Sequence, residues 1–322
     1  MKKLISIVIP VWNEEEGLDE LKKRLQKVLN NLDGYLFEVI IVENGSWDNS
    51  YQKLLEIHEG DKRFKIIQLS KNFKCDGGIT AGLKYIKGDA VIIMNADLQD
   101  PPEMIPEFIE KWEQGYEIVY GVIKKRVGVS IFRKILSSMF YQMIYSLTKG
   151  EVQKNVTDFK LIDKKVYTVI NNMPEHNRFL RGMISWSGFK HIGIPFIRSP
   201  RYKEGGEAKS SNVFQQSKNL IGVATNAVFT FSDFPLKLIT GAGILTSLFS
   251  FMLALYFLLG YIINGTASAG YVKGHTSLML VILFLFGVLF IFLGVIGEYI
   301  SRAYEEVKQR PLYIVKDKIG VE

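Results

Sequence analysis

Two uncharged stretches constrain this chain more than any other feature. Leu238–Ile263 runs for 26 residues and Thr276–Gly297 for 22 without one Asp, Glu, Lys, Arg or His. A helix needs about 20 residues to cross the hydrocarbon layer of a bilayer, so each run is long enough to span one. Apolar residues lie on every face of both segments instead of along one stripe, which favours lipid over a soluble core as their surroundings. The rest of the chain has ordinary globular composition. The expected division is a globular domain over 1–212, a juxtamembrane amphipathic helix over 213–235, a first span over 236–263, a short external loop over 264–275, a second span over 276–300 and a tail over 301–322.

Charge orients this arrangement. Lys237 precedes the first run, and Arg302, Lys308, Arg310, Lys316 and Lys318 follow the second, whereas the connecting loop holds only Lys273. By the positive-inside rule both ends are cytoplasmic, which makes the chain a multi-pass protein of the inner (cytoplasmic) membrane with its globular domain in the cytosol. The start, Met1-Lys2-Lys3-Leu4, leads into a short apolar strand and Pro10, which does not read as a signal peptide. The formal net charge of +7 is concentrated: Ile118–Gly150 and His176–Lys203 carry twelve Lys and Arg residues and no acid. Such basic balance suits nucleic acid, anionic lipid or phosphorylated substrates, and beside two membrane spans the last two lead, with no nucleic acid expected. The single Cys75 excludes an internal disulfide.

Within the globular part, β-rich runs alternate with helical patterns. Strands are expected at Leu4–Ile9, Phe37–Val42, Lys65–Leu69, Ala90–Met94 and Ile118–Tyr120, with helices near Glu15–Asn30, Ser50–Glu59, Gly77–Ile86 and Glu103–Gln114. Five strands joined by four crossover-length helices predict an α/β fold with a mostly parallel sheet and helices on both faces. Ligands in such sheets bind beyond the carboxyl ends of the strands, so the chemistry should lie in Pro10–Glu14, Glu43–Ser46, Ser70–Asn72 and Asn95–Asp100. Neither G-x-G-x-x-G after the first strand nor G-x-x-x-x-G-K-[ST] is present, so no standard phosphate cradle is supported. A divalent cation is the remaining means of holding a diphosphate. Asn95, Asp97, Gln99 and Asp100 offer the oxygen ligands that hard cations such as Mg2+ or Mn2+ take, although an acidic loop is also a common solvated turn.

Three blocks carry a family resemblance: Ile9-Pro10-Val11-Trp12-Asn13-Glu14-Glu15, Val42-Glu43-Asn44-Gly45-Ser46, and Asn95-Ala96-Asp97-Leu98-Gln99-Asp100-Pro101-Pro102-Glu103. In order and spacing they resemble the signature blocks of family 2 glycosyltransferases with the GT-A fold. Asp158-Phe159-Lys160-Leu161, Arg178-Phe179-Leu180-Arg181-Gly182 and the paired C-terminal spans are similar to one branch, the polyprenyl-phosphate glycosyltransferases related to dolichol-phosphate mannose synthase and the bacterial GtrB type.

The resemblance implies roles residue by residue. Pro10, Trp12, Glu14, Glu43 and Asn44, with Lys71, would hold the donor nucleotide, and Asn95, Asp97 and Gln99 the metal on its diphosphate. Asp97 and Asp158 would be the catalytic carboxylates, with Asp158 beside the acceptor. Arg126, Arg178, Arg181, Arg201 and Lys209 would meet acceptor or diphosphate oxygens; Arg178 and Arg181, three apart, would point at one target if helical. Two departures matter: Glu43-Asn44 stands where the family usually has Asp-Asp, and Asn95 replaces the first Asp of D-x-D. Each Asn keeps an acceptor oxygen but removes a charge, which leans the metal on Asp97 and the diphosphate.

The activity so implied is inverting transfer of one sugar, a hexose such as glucose, from a nucleotide-diphosphate sugar to a polyprenyl (undecaprenyl) phosphate at the cytoplasmic face. Donors such as GDP-mannose, an aminosugar or aminoarabinose stay open, as does a degenerate membrane scaffold. A processive synthase would carry a Q-x-x-R-W block and further spans, and neither occurs here. Apolar stripes over Ile131–Leu147 and Phe214–Phe231 suit interfacial helices, or core-facing ones. Pro311–Val315 reads as a strand able to add to the sheet of a neighbour, which makes a homodimer or homotetramer plausible.

Overall fold

The computed structural model describes residues 2–126, 156–176, 178–199, 238–246, 248–249, 251–252, 255, 259 and 275–321. Two units result: Met1–Ala224 together with Arg310–Glu322, and Thr225–Gln309.

The first unit opens with β1 (Lys3–Val11), α1 (Leu18–Asn30), β2 (Tyr35–Glu43), α2 (Ser50–Gly60), β3 (Phe64–Leu69), α3 (Lys74–Tyr85) and β4 (Ala90–Ile93). A 3-10 turn at Pro102–Met104 then leads into α4 (Ile105–Glu113) and β5 (Ile118–Arg126). After the undescribed stretch come β6 (Val156–Asp163), α5 (Lys164–Asn172), α6 (Leu180–Trp186) and β7 (His191–Arg198). The second unit holds α7 (His275–Lys308), and β8 (Val315–Ile319) follows it in the chain but belongs to the first unit.

β1 and β2 are almost continuously apolar because both their faces are covered, as in a central parallel strand. On one face Ile5, Ile7, Ile9 and Val11 meet Leu18, Leu21 and Leu25 of α1 and Phe108 and Trp112 of α4 in a single core. On the other, α3 packs so closely that a side chain at Gly82 would collide with Val8. α1 is amphipathic, its buried Leu18, Leu21, Leu25, Val28 and Leu29 falling three or four apart. Asp163 caps α5, its Oδ1 accepting the Lys165 N–H at 2.9 Å, and its Oδ2 accepts the Trp112 Nε1–H at 2.7 Å.

The five expected strands and four helices are all present, but the sheet differs from five consecutive parallel strands. Its eight strands run β7-β5-β6-β4-β1-β2-β3-β8. β6 lies between β4 and β5 and is antiparallel to both. The expected pattern missed it because the sequence reading stopped at Tyr120, while the strand that completes the sheet returns some 35 residues later, at Val156. The C-terminal strand is also shifted: Val315–Ile319, not Pro311–Val315, and it adds antiparallel to β3 of its own chain. The strand expected to add to the sheet of a neighbour is thus paired within its own sheet.

Among the described residues, one helical segment, Leu285–Lys308, is long and apolar enough to cross a membrane. Its 24 residues rise about 36 Å, against a hydrocarbon core of about 30 Å. Leu285, Phe286, Leu289, Phe290, Ile291 and Leu293 are exposed, which a soluble core helix would not allow. The described residues of the first apolar run, from Leu238 onward, are helical. The expected interfacial helices at 131–147 and 214–231, residues 264–274 of the loop expected at 264–275, Arg201, Lys209 and the Arg126 side chain lie outside the described residues, and His275 already belongs to α7.

Candidate active site

The loops after β1 and β2 are zipped together. The N–H of Asn13, a residue at a left-handed φ of 52°, donates to Ser46 Oγ at 3.1 Å, and its side-chain oxygen accepts the Trp47 N–H at 3.0 Å. The Glu14 N–H donates to Ser50 Oγ at 3.0 Å, and the Asn49 N–H to Glu15 Oε2 at 2.7 Å. This brings Trp12 and Trp47 edge to face with centroids 4.9 Å apart, while leaving them 39% and 78% exposed. A solvent-facing aromatic pair held on a rigid backbone is suited to stacking on a planar group. Trp47 does not stand out in the sequence, where the turn-forming run Asn44–Ser50 around it is the available signal.

Glu43 and Asn44 are buried, and both face inward to the protein. Glu43 Oε1 accepts the Ser46 N–H. Asn44 Nδ2 donates to the Lys74 carbonyl at 2.8 Å and its Oδ1 accepts the Phe73 N–H at 2.9 Å, so its amide is spent on the loop before α3. Gly45, at φ +69°, sits where a Cβ would lie 2.7 Å from the Lys71 backbone. Asn44 thus shapes this end of the site, and Pro10 lies beneath it against Gly78. The Lys71 ammonium stands over the Phe73 ring at 5.1 Å.

The loop after β4 is organised by Asp100, which is fully buried. Its Oδ2 accepts both the backbone N–H and the side-chain Nδ2–H of Asn95, at 3.1 and 3.0 Å, and Arg198 Nη2 lies 3.9 Å from its Oδ1. Burial raises the Asp100 carboxyl to about 6, against the pull of Arg198, and Asp97 adds to the rise. Asp97 Oδ1 accepts the Gln99 N–H at 3.1 Å, and Gln99 Nε2 donates to the Ser199 carbonyl at 3.1 Å. Leu98 takes a left-handed φ of 57° at the tip of this turn. The Cys75 thiol lies 3.8 Å from Asn95 Oδ1.

β6 supplies the other half of the site. It pairs Ile93 with Lys160, and continuing that register brings Asp158 level with Asn95. Because Phe159 and Leu161 face the core shared with α4, strand alternation turns Asp158 and Lys160 to the α3 side. There Arg181 of α6 grips Asp158 with Nε at 3.2 Å and Nη2 at 2.9 Å. Burial alone would raise the Asp158 carboxyl, but Arg181 and Lys160 outweigh it and hold the group below the usual carboxylate range. Lys160 is 4% exposed, and burial lowers it to about 8 despite Asp158. Asp76, in the first turn of α3, faces the Leu180 N–H; burial and the Asp158 charge push it up to about 6, against Arg181 and Lys160.

Arg178 does not share a target with Arg181. Its Nη2 donates to the carbonyls of Ile170 and Met173, closing the end of α5. A three-residue spacing places two side chains together only within a helix, and α6 begins at Leu180, after Arg178. The sequence reading also passed over Asp76, Lys160 and Arg198. Lys160 was discoverable, since it lies two residues from Asp158 and so shares its face of the strand.

With this geometry in place, the comparisons with known proteins are direct. Residues 6–181 match Glycosyl transferase family 2, and the chain belongs to that family. The sheet and its covering helices are the GT-A α/β fold of such enzymes. Over 99% of its length the chain is 41% identical to an uncharacterized glycosyltransferase of Synechocystis sp., covering 96% of that protein. A prophage bactoprenol glucosyl transferase homolog of Escherichia coli is 33% identical over 97% of this chain and 98% of its own. The bactoprenol glucosyl transferase of Shigella phage SfII is likewise 33% identical, over 97% of each.

Proposed function

We propose that this glycosyltransferase moves a single hexose, glucose in the first instance, from a nucleotide-diphosphate sugar to a polyprenyl phosphate at the cytoplasmic face of the membrane, with inversion at the anomeric carbon. The observation that carries the reading is the juxtaposition, at one end of the sheet, of the Asn95–Asp100 loop and the Asp158–Arg181 pair. The names of the bactoprenol glucosyl transferases aligned along the whole chain support the lipid phosphate and glucose.

The donor set fits Mg2+ or Mn2+. Asn95 and Asp97 present hard oxygen atoms two residues apart, and the fully buried Asp100 fixes Asn95 by two hydrogen bonds. Gln99 turns its amide nitrogen to Ser199, so it serves chiefly to hold the loop. When bound, the ion supplies charge neutralisation on the departing diphosphate. With one carboxylate between Asn95 and Asp97, the diphosphate itself must complete the ligand set.

The acceptor side follows from charge. A lipid phosphate is anionic at neutral pH and needs positioning more than a general base. Asp158, kept ionised by Arg181 and Lys160, orients Arg181 toward that phosphate rather than removing a proton from it. Arg126, Arg201 and Lys209 supply further cations in this reading, while Arg178 braces the fold. Trp12 and Trp47 take the base, with Pro10, Glu14, Glu43, Asn44 and Lys71 shaping that end. Both apolar runs span the membrane with the catalytic domain and both termini cytoplasmic. Incubation of the purified chain with undecaprenyl phosphate and a panel of UDP- and GDP-sugars, scored by mass, tests the donor and the acceptor. Transfer to free oligosaccharide but never to the lipid phosphate would overturn the reading.

A further inference from the structure

The last residues of the chain have no part in the donor, metal or acceptor roles above, yet they touch the donor side of the first unit at several points. β8 pairs with β3 from Ile66↔Ile319 to Leu69↔Val315, with a register shift between Gln68 and Leu69. Just beyond the ladder the Ser70 N–H donates to the Ile314 carbonyl at 2.9 Å. The Leu312 carbonyl lies beside Gly77 of α3, and the half-buried Tyr313 feels Tyr85 and Arg178. Lys318 stands over the Tyr85 ring at 5.2 Å, Asp317 bonds Tyr51 of α2, and Gly320, at φ +70°, packs on His58.

One of these contacts, Ser70 to Ile314, reaches a short loop of the donor side, and the others hold the segment on β3, α2 and α3. Ser70 is the first residue of the Ser70–Phe73 connection between β3 and α3, whose other end is gripped by Asn44 through the Phe73 N–H and the Lys74 carbonyl. Gly45 rests on the Lys71 backbone in the middle of it. We propose that the C-terminal segment Pro311–Gly320 is a positioning element of the donor site: it fixes the start of the Ser70–Phe73 loop and thereby the backbone against which Asn44, Gly45 and Lys71 are set. The inference rests on the donor reading above. Without β8, β3 becomes an open edge and the loop is anchored at one end only.

The test is titration of UDP and GDP against the full-length protein and its variants. Truncation after Gln309 should weaken nucleotide binding about tenfold or more, the value of one well-made hydrogen bond, while the acceptor KM stays within about twofold. A synthetic peptide of residues 311–322 should restore binding to the truncated chain. A gentler pair is Asp317→Pro and Lys318→Pro, each read against its own alanine variant so that the lost Tyr51 and Tyr85 contacts cancel: N–H groups of successive strand residues point to opposite sides, so only one Pro removes a bond to β3 and only that one should weaken binding beyond its alanine variant. Wild-type affinity in the truncated chain, or equal losses in donor and acceptor KM that the peptide does not restore, overturns the inference. Failure of the wild type to bind either nucleotide overturns the donor reading, and this inference with it.

Discussion

Asp97 spends one oxygen on the Gln99 N–H and is the sole carboxylate between Asn95 and Gln99, while the Asp100 carboxylate is committed to Asn95 and faces Arg198, so the proposed metal leans on Asp97. Asp97→Ala should therefore lower turnover at least about 100-fold, the scale of losing one transition-state charge stabiliser; full activity by mass analysis of the lipid product would remove Asp97 from that role. Asp76 yields a second residue-scale prediction, this one of stability. Its folded value is raised from 3.8 to about 6, so between those limits the folded chain keeps a proton that the unfolded chain has released. By linkage its contribution to stability is greatest below 3.8 and declines as pH rises to about 6. Asp76→Asn removes that slope and should gain in Tm relative to wild type on going from pH 4 to pH 7. Parallel Tm curves for the two proteins would contradict it.

At the level of elements, the site depends on close approaches between strand ends. The Gly45 backbone is left-handed and abuts Lys71, so Gly45→Ala combines a strained φ with a steric clash and should cost about 1–3 kcal/mol, read from urea unfolding. The opposite end of the sheet is secured differently. Glu38 is buried where Ser6 Oγ (2.6 Å), Lys65 Nζ (2.8 Å) and the Lys87 N–H (2.8 Å) all donate to it, and despite burial these bonds hold its carboxyl below the usual range. That network ties β1, β2 and β3 at the end away from the ligand, a rigid base for the loops that carry chemistry. β6 is the element that couples the two halves of the site, since it brings Lys160 level with Ile93 and Asp158 level with Asn95 from more than 60 residues along the chain.

For the whole molecule, the proposed topology is testable with the protein's own chemistry. Cys75 is the single cysteine and is exposed in the first unit, and because burial of its thiol and the Asp158 and Asp76 charges raise it, labelling by an impermeant maleimide is read at alkaline pH and should occur only after the cells are opened. With Cys75 replaced by Ser, a cysteine introduced at Thr266, in the loop between the apolar runs, should react in intact cells. Labelling of Cys75 in intact cells would invert the orientation.

Much of the domain was legible from sequence because its signals are local: continuous β-branched runs for buried parallel strands, three-four spacing for α1, and the blocks at strand ends that singled out Trp12 and Asp97, whereas Asp158 was singled out only by the family resemblance. Two uncharged runs of 26 and 22 residues likewise set the membrane expectation without any fold. Tertiary structure decided what depends on partners distant in sequence. Arg178 and Arg181 look equivalent in the chain, but α6 starts between them, so one closes α5 and the other holds Asp158. Asn44 looks like a ligand, but the Phe73–Lys74 backbone occupies its amide. The C-terminal strand could pair with any open edge, and the edge it takes is β3 of its own chain. Residue type and spacing fix which groups a strand end can present; which of those groups remain for a substrate is settled by the hydrogen bonds that long-range packing has already claimed.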